Sequence, residues 1–351
     1  MSEVRPSLVD RWHELARGAM EPNPFFEPEF VLPAVAHLAH EGVRLLTVSE
    51  GSALRVCLPV EVVRLRGQHG PSILRSWIHK YCFLGTPLID QTTGPEATKA
   101  LSRLLLWYRP LLVLGAVATD GRVLEALDRH LARRGRRLYR YDESQRALLT
   151  DRPSLQGGAP ALAKVERRRR AAERELGPLR FVDRTTPDGV EQFLAIEASG
   201  WKGREGTALL SRPGDATFFR QMCAGFAESN RLEVRALVTP DGAVMAMSVR
   251  IRAGEGLFSF KVGYDEAFRR HGPGRLLAVD AVEQFAAQSA ATWVDSCTDP
   301  GNTFLETLYP GRRHLASIIV GSEGVVAGAI GRVAVGTHRR RRAGSRTLVG
   351  D

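Results

Sequence analysis

The stretch Arg231–Gln288 constrains the fold more than any other part of the chain. Its first part, "RLEVRALVTPDGAVMAMSVRIRAGEGLFSFKVGYD" (Arg231–Asp265), holds three apolar runs of strand length. Pro240-Asp241-Gly242 and Ala253-Gly254-Glu255-Gly256 interrupt them where tight turns belong, so the spacing predicts a three-strand antiparallel meander. Arg-Arg-His-Gly-Pro-Gly then leads into an apolar helical pattern from Arg275 to Gln288, with no acidic residue in that hexapeptide. Glycine lets main chain approach a ligand closely, and the first N–H groups of a helix point outward with the positive end of its dipole. Such a junction suits a pyrophosphate, with Arg269, Arg270, Gly272, Gly274 and Arg275 as candidate contacts. The competing reading is an ordinary loop and helix cap. A dinucleotide-binding fingerprint would place its glycines after the first strand of a parallel βαβ unit. An antiparallel meander precedes them here, so that reading fails.

The rest of the chain sorts into two α/β halves around a Pro/Gly/Ser-rich connector, "TDRPSLQGGAPA" (Thr150–Ala161). At 351 residues, two domains are the default. Before the connector, Val43–Leu65 reads as two strands around a Glu-Gly-Ser turn, and Ala97–Pro110 as a helix stopped by proline. Leu111–Val117 is a buried strand, and Asp120–Gly135 an amphipathic helix with Val123, Leu124, Leu127 and Leu131 on one stripe. After the connector, Leu162–Gly177 is a charged helix whose Glu and Arg residues pair along an exposed face. The remainder reads strand, helix capped by Thr, helix capped by Asp215, meander, helix, the short strand Thr292–Cys297, then a helix-like turn and a last strand. The expected division is 1–150, a linker with the charged helix at 151–178, a domain at 179–330 and a basic tail at 331–351. The fold class expected is α/β (α+β), each domain a mixed, mostly antiparallel sheet flanked by helices.

The net charge of +10 gathers in runs at Arg167–Arg170 and Arg339–Arg342. These read either as solvated basic segments or as attraction to a polyanion such as CoA, nucleic acid or an anionic surface. Cys57, Cys82, Cys223 and Cys297 form no CxxC pair, and the histidines show no metal spacing, so no metal is expected. The N-terminus lacks a signal-peptide core and no apolar run approaches the ~20 residues of a membrane span. A cytoplasmic protein is the expectation.

The order helix, helix, meander, Arg-x-x-Gly-x-Gly, helix, strand resembles the GNAT N-acyltransferase fold. "IEASGWKGREGTAL" (Ile196–Leu209), "FSFKVGYDEAFRRHGPGRLL" (Phe258–Leu277) and "VDSCTD" (Val294–Asp299) look like the BioF2-like acetyltransferase domain of CelD/BcsL-type proteins, which are associated with exopolysaccharide production. "PNPFFEPEF", "LPVEVV" and "YCFLGTPLID" in the first half also resemble that family, as a degenerate GNAT-like unit in a tandem of the FemABX kind. The resemblance spans roughly residues 20 to 325; Gly263 stands where the family often has alanine. It implies an acyl-CoA (acetyl-CoA) co-substrate held by the Arg269–Gly274 loop, and an amine acceptor, on an amino sugar or sugar-linked precursor. The FemABX likeness implies an alternative, aminoacyl transfer from tRNA, and a catalytically idle binding module in polysaccharide assembly is a third reading.

Acyl transfer to an amine needs a proton acceptor for the amine and a donor for the thioester oxygen. Glu197, on an apolar helix before Gly-Trp-Lys-Gly, is a candidate general base or acceptor-orienting group; the competing reading is a helix-surface carboxylate. Lys261 sits in the apolar run Phe258–Val262 and needs an anionic partner, for which Asp265 and Asp295 are candidates. Tyr264 is a candidate proton donor to the leaving thiolate. It lies three residues from Lys261, on the opposite face of a regular strand and nearer if the strand bulges. Asp265 and Asp295 are placed in the same reaction cleft, and Trp201 with Lys202 forms a candidate acceptor wall. Core packing for Trp201, edge packing for Tyr264, a structural ion pair for Lys261 and a turn aspartate at Asp295 are the competing readings.

Overall fold

The computed structural model describes residues 5–39, 42–64, 72–107, 112–133, 138–150, 160–288 and 290–320. The Arg339–Arg342 run and most of the connector lie outside the described residues. The chain divides into one unit of Met1–Val35, Ala39–Gln145 and Arg313–Asp351, and a second of Ala36–Leu38 and Arg146–Arg312. Two features depart from a purely sequential division. The charged helix belongs to the second unit, and the last strand belongs to the first.

In the first unit, α1 (Pro6–Arg17) and α2 (Pro28–His37) precede β1 (Arg44–Glu50) and β2 (Ala53–Arg64), which turn through Gly51 at a φ of 56°. β3 (Ser72–Ser76) continues the antiparallel series beside β2, and the two-residue β4 (Leu88–Ile89) pairs with β2 as well. α3 (Gly94–Trp107) carries the chain across to β5 (Leu112–Ala118), which runs parallel to β3. α4 (Arg122–Ala132) buries Val123, Leu124, Leu127 and Leu131, the stripe its 3.6-residue spacing predicts. β6 (Leu138–Leu149) follows. The last strand, β12 (Gly311–Val320), lies antiparallel to β5.

The second unit repeats that plan. α5 (Pro160–Leu176) leads into β7 (Arg180–Asp183), α6 (Pro187–Ser199), α7 (Trp201–Arg204) and α8 (Pro213–Glu228). Thr186 caps α6, its hydroxyl accepting the Gly189 N–H at 3.1 Å. Asp215, expected as a cap, lies within the first turn of α8 because Pro213 opens that helix. β8 (Leu232–Val238), β9 (Val244–Ala253) and β10 (Gly256–Tyr264) form the expected meander, with β7 added antiparallel to β8. α9 (Pro273–Gln288) crosses to β11 (Trp293–Asp295), parallel to β10, and α10 (Thr303–Leu308) follows. On its other side β11 pairs with Leu148 and Leu149.

α5 is less exposed than its composition suggests. Arg169 pairs with Glu173 at 3.3 Å and Arg170 with Glu166 at 3.0 Å along its outer face. Its Val165 and Ala172, seven residues apart, are buried in one apolar cluster with Leu276 and Leu277 of α9. A one-sided apolar seam of two small side chains is easily missed among so many charges.

Two local features of β10 set the geometry at its C-terminal end. Ser259 faces Arg250 and Lys261 faces Val249, so Phe260 is an inserted bulge residue. β11 pairs with β10 only from Gly256 to Phe258, although β10 runs on to Tyr264. Beyond Phe258 the ladder to β11 stops, because β11 ends at Asp295, while β10 runs on to Tyr264 toward the start of α9.

Candidate active site

Lys261 finds its anion in Glu197, not in Asp265 or Asp295. The Lys261 ammonium donates to Glu197 Oε1 at 2.8 Å, and Lys202 Nζ approaches the same oxygen at 3.5 Å. Glu197 Oε2 accepts the Leu209 N–H at 2.9 Å, and Lys202 also reaches the Val262 carbonyl at 3.4 Å. The Glu197 side chain is sealed from solvent, while those of Lys261 and Lys202 are 16% and 18% exposed. Burial raises the Glu197 pKa, but the charges of Lys261 and Lys202 and the hydrogen bonds from Lys261 and the Leu209 amide outweigh it and hold the carboxyl below its ordinary range. A carboxylate held so firmly ionised is a weak proton acceptor. Lys202 is pushed the other way: burial and the neighbouring Lys261 charge lower its pKa, with Glu197 only partly compensating. One carboxylate thus serves two ammonium groups, and Lys202 gives up its proton more easily than an ordinary lysine.

The chain reaches this geometry through local sequence. The bulge at Phe260 turns both Phe260 and Lys261 toward the α6 side: Phe260 stacks on Phe219 of α8 at 6.2 Å, and Lys261 meets Glu197 of α6. Gly263 faces α6 as well, and a Cβ there would lie 3.3 Å from the Glu197 Cα, a contact tight enough to favour glycine over the family's alanine. From Lys261 to Tyr264 the register is regular, so Tyr264 points to the opposite face. There it packs on the α5–α9 cluster of Leu276, Leu277 and Val165. The structure therefore does not bring Tyr264 to the lysine pair, because the bulge precedes Lys261 instead of following it.

Asp265 caps the 3-10 turn Glu266–His271 by accepting the Ala267 N–H at 2.9 Å. Asp295 is fully buried, bonded to Arg146 at 2.7 Å and to the Cys297 amide at 2.9 Å. Its side chain serves a structural ion pair, not an open cleft. Trp201 is half-buried, donates its main-chain N–H to Glu266 at 2.8 Å and carries Lys202 Nζ over its ring at 6.0 Å. It remains beside the lysine pair, where an acceptor wall belongs.

The glycine junction adopts the expected strand-to-helix form. Gly272 takes a left-handed φ of 63°, closes the 3-10 turn through its N–H to Arg269, and Pro273 opens α9. A Cβ on Gly274 would have only Val262 Cγ1 near it, at 4.0 Å, so the space above the first turn of α9 is open. Arg269 is exposed, whereas Arg270 is committed to Glu175 of α5. Arg275 lies over the Phe304 ring at 5.3 Å.

Sequence reasoning missed Tyr309. It follows α10, is buried, and shares a hydrogen bond with Ser259 where β10 leaves β11; burial pushes its hydroxyl up to about 12. Nothing in the local pattern distinguishes it from a core aromatic, since the contact joins residues fifty positions apart. All four cysteines are buried thiols, and no metal-ligating cluster occurs among the described residues.

Known proteins share this fold. Residues 161–303 match the family model described as an acetyltransferase (GNAT) domain. Among curated protein sequences, none matches the chain. The solved structure of FemX superposes with a TM-score of 0.59 at 8% identity, covering 90% of this chain and 96% of that one. The C-terminal DUF2156 domain assigned to a lysylphosphatidylglycerol synthetase of Agrobacterium fabrum gives 0.58 at 12% identity, covering 98% of both chains. L-PGS of Bacillus licheniformis gives 0.55 at 11% identity, covering 94% and 96%. At such identities the likeness is one of fold. No described helix is long and apolar enough to cross a membrane. The meander, the parallel β10–β11 pair and the glycine junction all fall where the family model matches, and the chain has a GNAT/FemABX-like acyltransferase fold.

Proposed function

We propose that the second unit is an N-acyltransferase that moves an acyl group from acyl-CoA to an amine. What supports this reading is the end of the β10–β11 ladder at Phe258, which we read as a wedge for the thioester, with the Glu197–Lys261–Lys202 cluster and the glycine junction of α9 nearby on β10 and α9. A thioester lying in the wedge would direct its diphosphate toward the first turn of α9 and its carbonyl toward Lys261. The ammonium of Lys261, held by Glu197, offers a donor to the oxygen as it gains charge. Lys202, whose pKa burial and the Lys261 charge lower, takes the proton from the attacking nitrogen once it has lost its own, as the N–C bond forms and the C–S bond breaks with the CoA thiolate leaving. Glu197 orients and does not accept the proton. Trp201 beside Lys202 offers a flat apolar wall to the acceptor, which suits the amino sugar or sugar-linked amine implied by the resemblance.

The test is thiol release from a panel of acyl-CoA thioesters with amine acceptors, in wild type and Lys261→Met. Amine-dependent release that the substitution abolishes supports the reading. Tight CoA binding with no turnover across the panel would favour an idle binding module. One observation favours aminoacyl-tRNA as donor instead: α5 presents the exposed basic residues Arg167, Arg170 and Arg174 along its outer face. Salt-sensitive tRNA binding with no affinity for CoA would select that reading.

A further inference from the structure

α5 does more than pack. A recess of ≈ 210 Å³ opens beside the start of α9, lined by Lys164, Val165 and Arg168 of α5, Arg275 of α9 and Thr303, Phe304 and Thr307 of α10. Three helices contribute to it, and its charged lining is entirely cationic. The acids nearby are engaged elsewhere. Glu166 holds Arg170, Glu173 holds Arg169, Glu175 holds Arg270, and Glu306 accepts the Gly301 N–H at 3.0 Å. Among the described residues, no carboxylate forms an ion pair with Lys164, Arg168 or Arg275.

The placement of the cations is specific. Of the run Arg167–Arg170, two arginines are spent on glutamates of their own helix, and Arg168 turns inward. Its Nη1 lies 3.0 Å from where a Cβ on Gly272 would sit, so it rests against the glycine junction itself. Lys164 is one turn earlier on the same face. Arg275 completes the set from α9, its guanidinium over the Phe304 ring. Thr303 and Thr307 of α10 lie four residues apart on one face; the Thr307 hydroxyl donates to the Thr303 carbonyl at 2.8 Å, which leaves the Thr303 hydroxyl as the neutral donor.

A partner for this recess carries more than one negative charge and accepts hydrogen bonds in several directions, which describes a phosphate ester better than a carboxylate. The Arg275–Phe304 stack adds a flat surface of the kind on which nucleobases lie. The geometry points to a nucleotide-phosphate site in which α5 and α10 grip the phosphorylated nucleoside end of the acyl donor. This inference rests on the acyl-CoA reading above and extends it. The glycine junction would hold only the diphosphate nearest the wedge, while the helix before the domain's first strand holds the far end. It also gives the Arg167–Arg170 run a divided role, with one inward member and three that face outward or pair locally.

The probe is adenosine 3′,5′-bisphosphate, which has no acyl group and no thiol, titrated calorimetrically into the full chain with inorganic phosphate as comparison. Lys164→Ala combined with Arg168→Gln is expected to weaken bisphosphate binding by at least ~10-fold. Arg167→Gln, on the same helix but outside the recess, should leave it unchanged, which separates this site from general charge attraction. Lys164→Ala alone, at an exposed position, keeps the test valid if the double variant folds poorly, and should weaken binding by several-fold. Bisphosphate bound no better than inorganic phosphate, or equal losses in the Arg167 variant, would overturn the assignment. The two proposals fail differently. Turnover of acyl-CoA with full donor affinity in the double variant removes the recess and keeps the acyltransferase. Recess-dependent bisphosphate binding without any acyl transfer does the reverse.

Discussion

The two units are built to one plan and differ at one place. Each has an antiparallel series, then a helical crossover to a strand running parallel to the last of that series: β3 to β5 through α3, and β10 to β11 through α9. Both parallel ladders are short, three residue pairs for β10–β11 and two for β3–β5. In the first unit, the chain's own segment closes the corresponding place. The Gly85 N–H donates to the Ala116 carbonyl at 2.9 Å, the Gly115 N–H to the Ser76 hydroxyl at 2.8 Å, and the Ala118 N–H to the Thr86 hydroxyl at 3.2 Å. The first unit satisfies these main-chain groups across the slot, whereas at the opening of α9 the Arg275 and Leu276 N–H groups donate locally to the Gly272 carbonyl. The first unit also lacks an Arg-x-x-Gly-x-Gly junction before α3. A sheet and core of one plan can carry different sites, so the side chains and glycines around the slot are where the two units are to be compared.

That contrast can be broken most severely at Lys261. Lys261→Met removes the ammonium held by Glu197 and, on the proposed function, should lower kcat/KM by ~10²–10³, with thiol release as the measurement. No polar substitution in the first unit's plugged slot should approach this at equal stability.

Glycines test the contrast next. Gly85 and Gly115 touch: a Cβ at Gly85 would sit 2.0 Å from the Gly115 carbonyl oxygen. Gly85→Ala should therefore destabilise the protein by about 1–3 kcal/mol in denaturant titration. Gly274→Trp meets open space, so it should leave stability nearly intact while weakening acyl-CoA binding by at least ~10-fold. If instead Gly274→Trp unfolds the chain and Gly85→Ala is silent, the roles assigned to the two slots are exchanged.

The pH dependence sharpens the role of Lys202. Its conjugate acid is disfavoured by burial and by Lys261, with Glu197 opposing and the Trp201 ring and Val262 carbonyl alongside. The pKa is lowered from 10.5, so the rate should rise with pH and level off below that value as Lys202 loses its proton. The sign for stability is the same. The charged form is disfavoured in the fold, so Lys202 costs stability at low pH, and that cost fades as pH rises through its folded value. Lys202→Arg keeps a cation that does not titrate in this range and should erase the alkaline rise in the pH–rate profile.

Sequence patterning makes most of this legible. The meander turns at Gly242 and Gly254, the α4 stripe and the Thr186 cap are local, and local rules predict them. The glycine junction is legible because a strand, a turn free of acidic residues and a helix lie contiguous in sequence. The partner of Lys261 is not, since Glu197 is sixty-four residues away and only the bulge at Phe260 decides which face Lys261 takes. Tyr264 and Asp295 depart from their expected places for the same reason: strand parity and burial are settled by packing across the sheet. The smallest predicted effect comes from this correction. Tyr264→Phe should change kcat by less than about twofold, because its ring packs on α5 and α9 and not beside Lys261.

Hydrogen exchange tests the contrast between the two slots most directly. Peptides spanning Ser259–Leu276 and Ser76–Gln91 are followed in the free protein and with saturating acyl-CoA. Slower exchange is predicted in the first peptide, centred on the opening turn of α9, with no change in the second. Protection at Ser76–Gln91, or none at Ser259–Leu276 despite measured donor binding, would contradict an open slot in the second unit and a plugged one in the first.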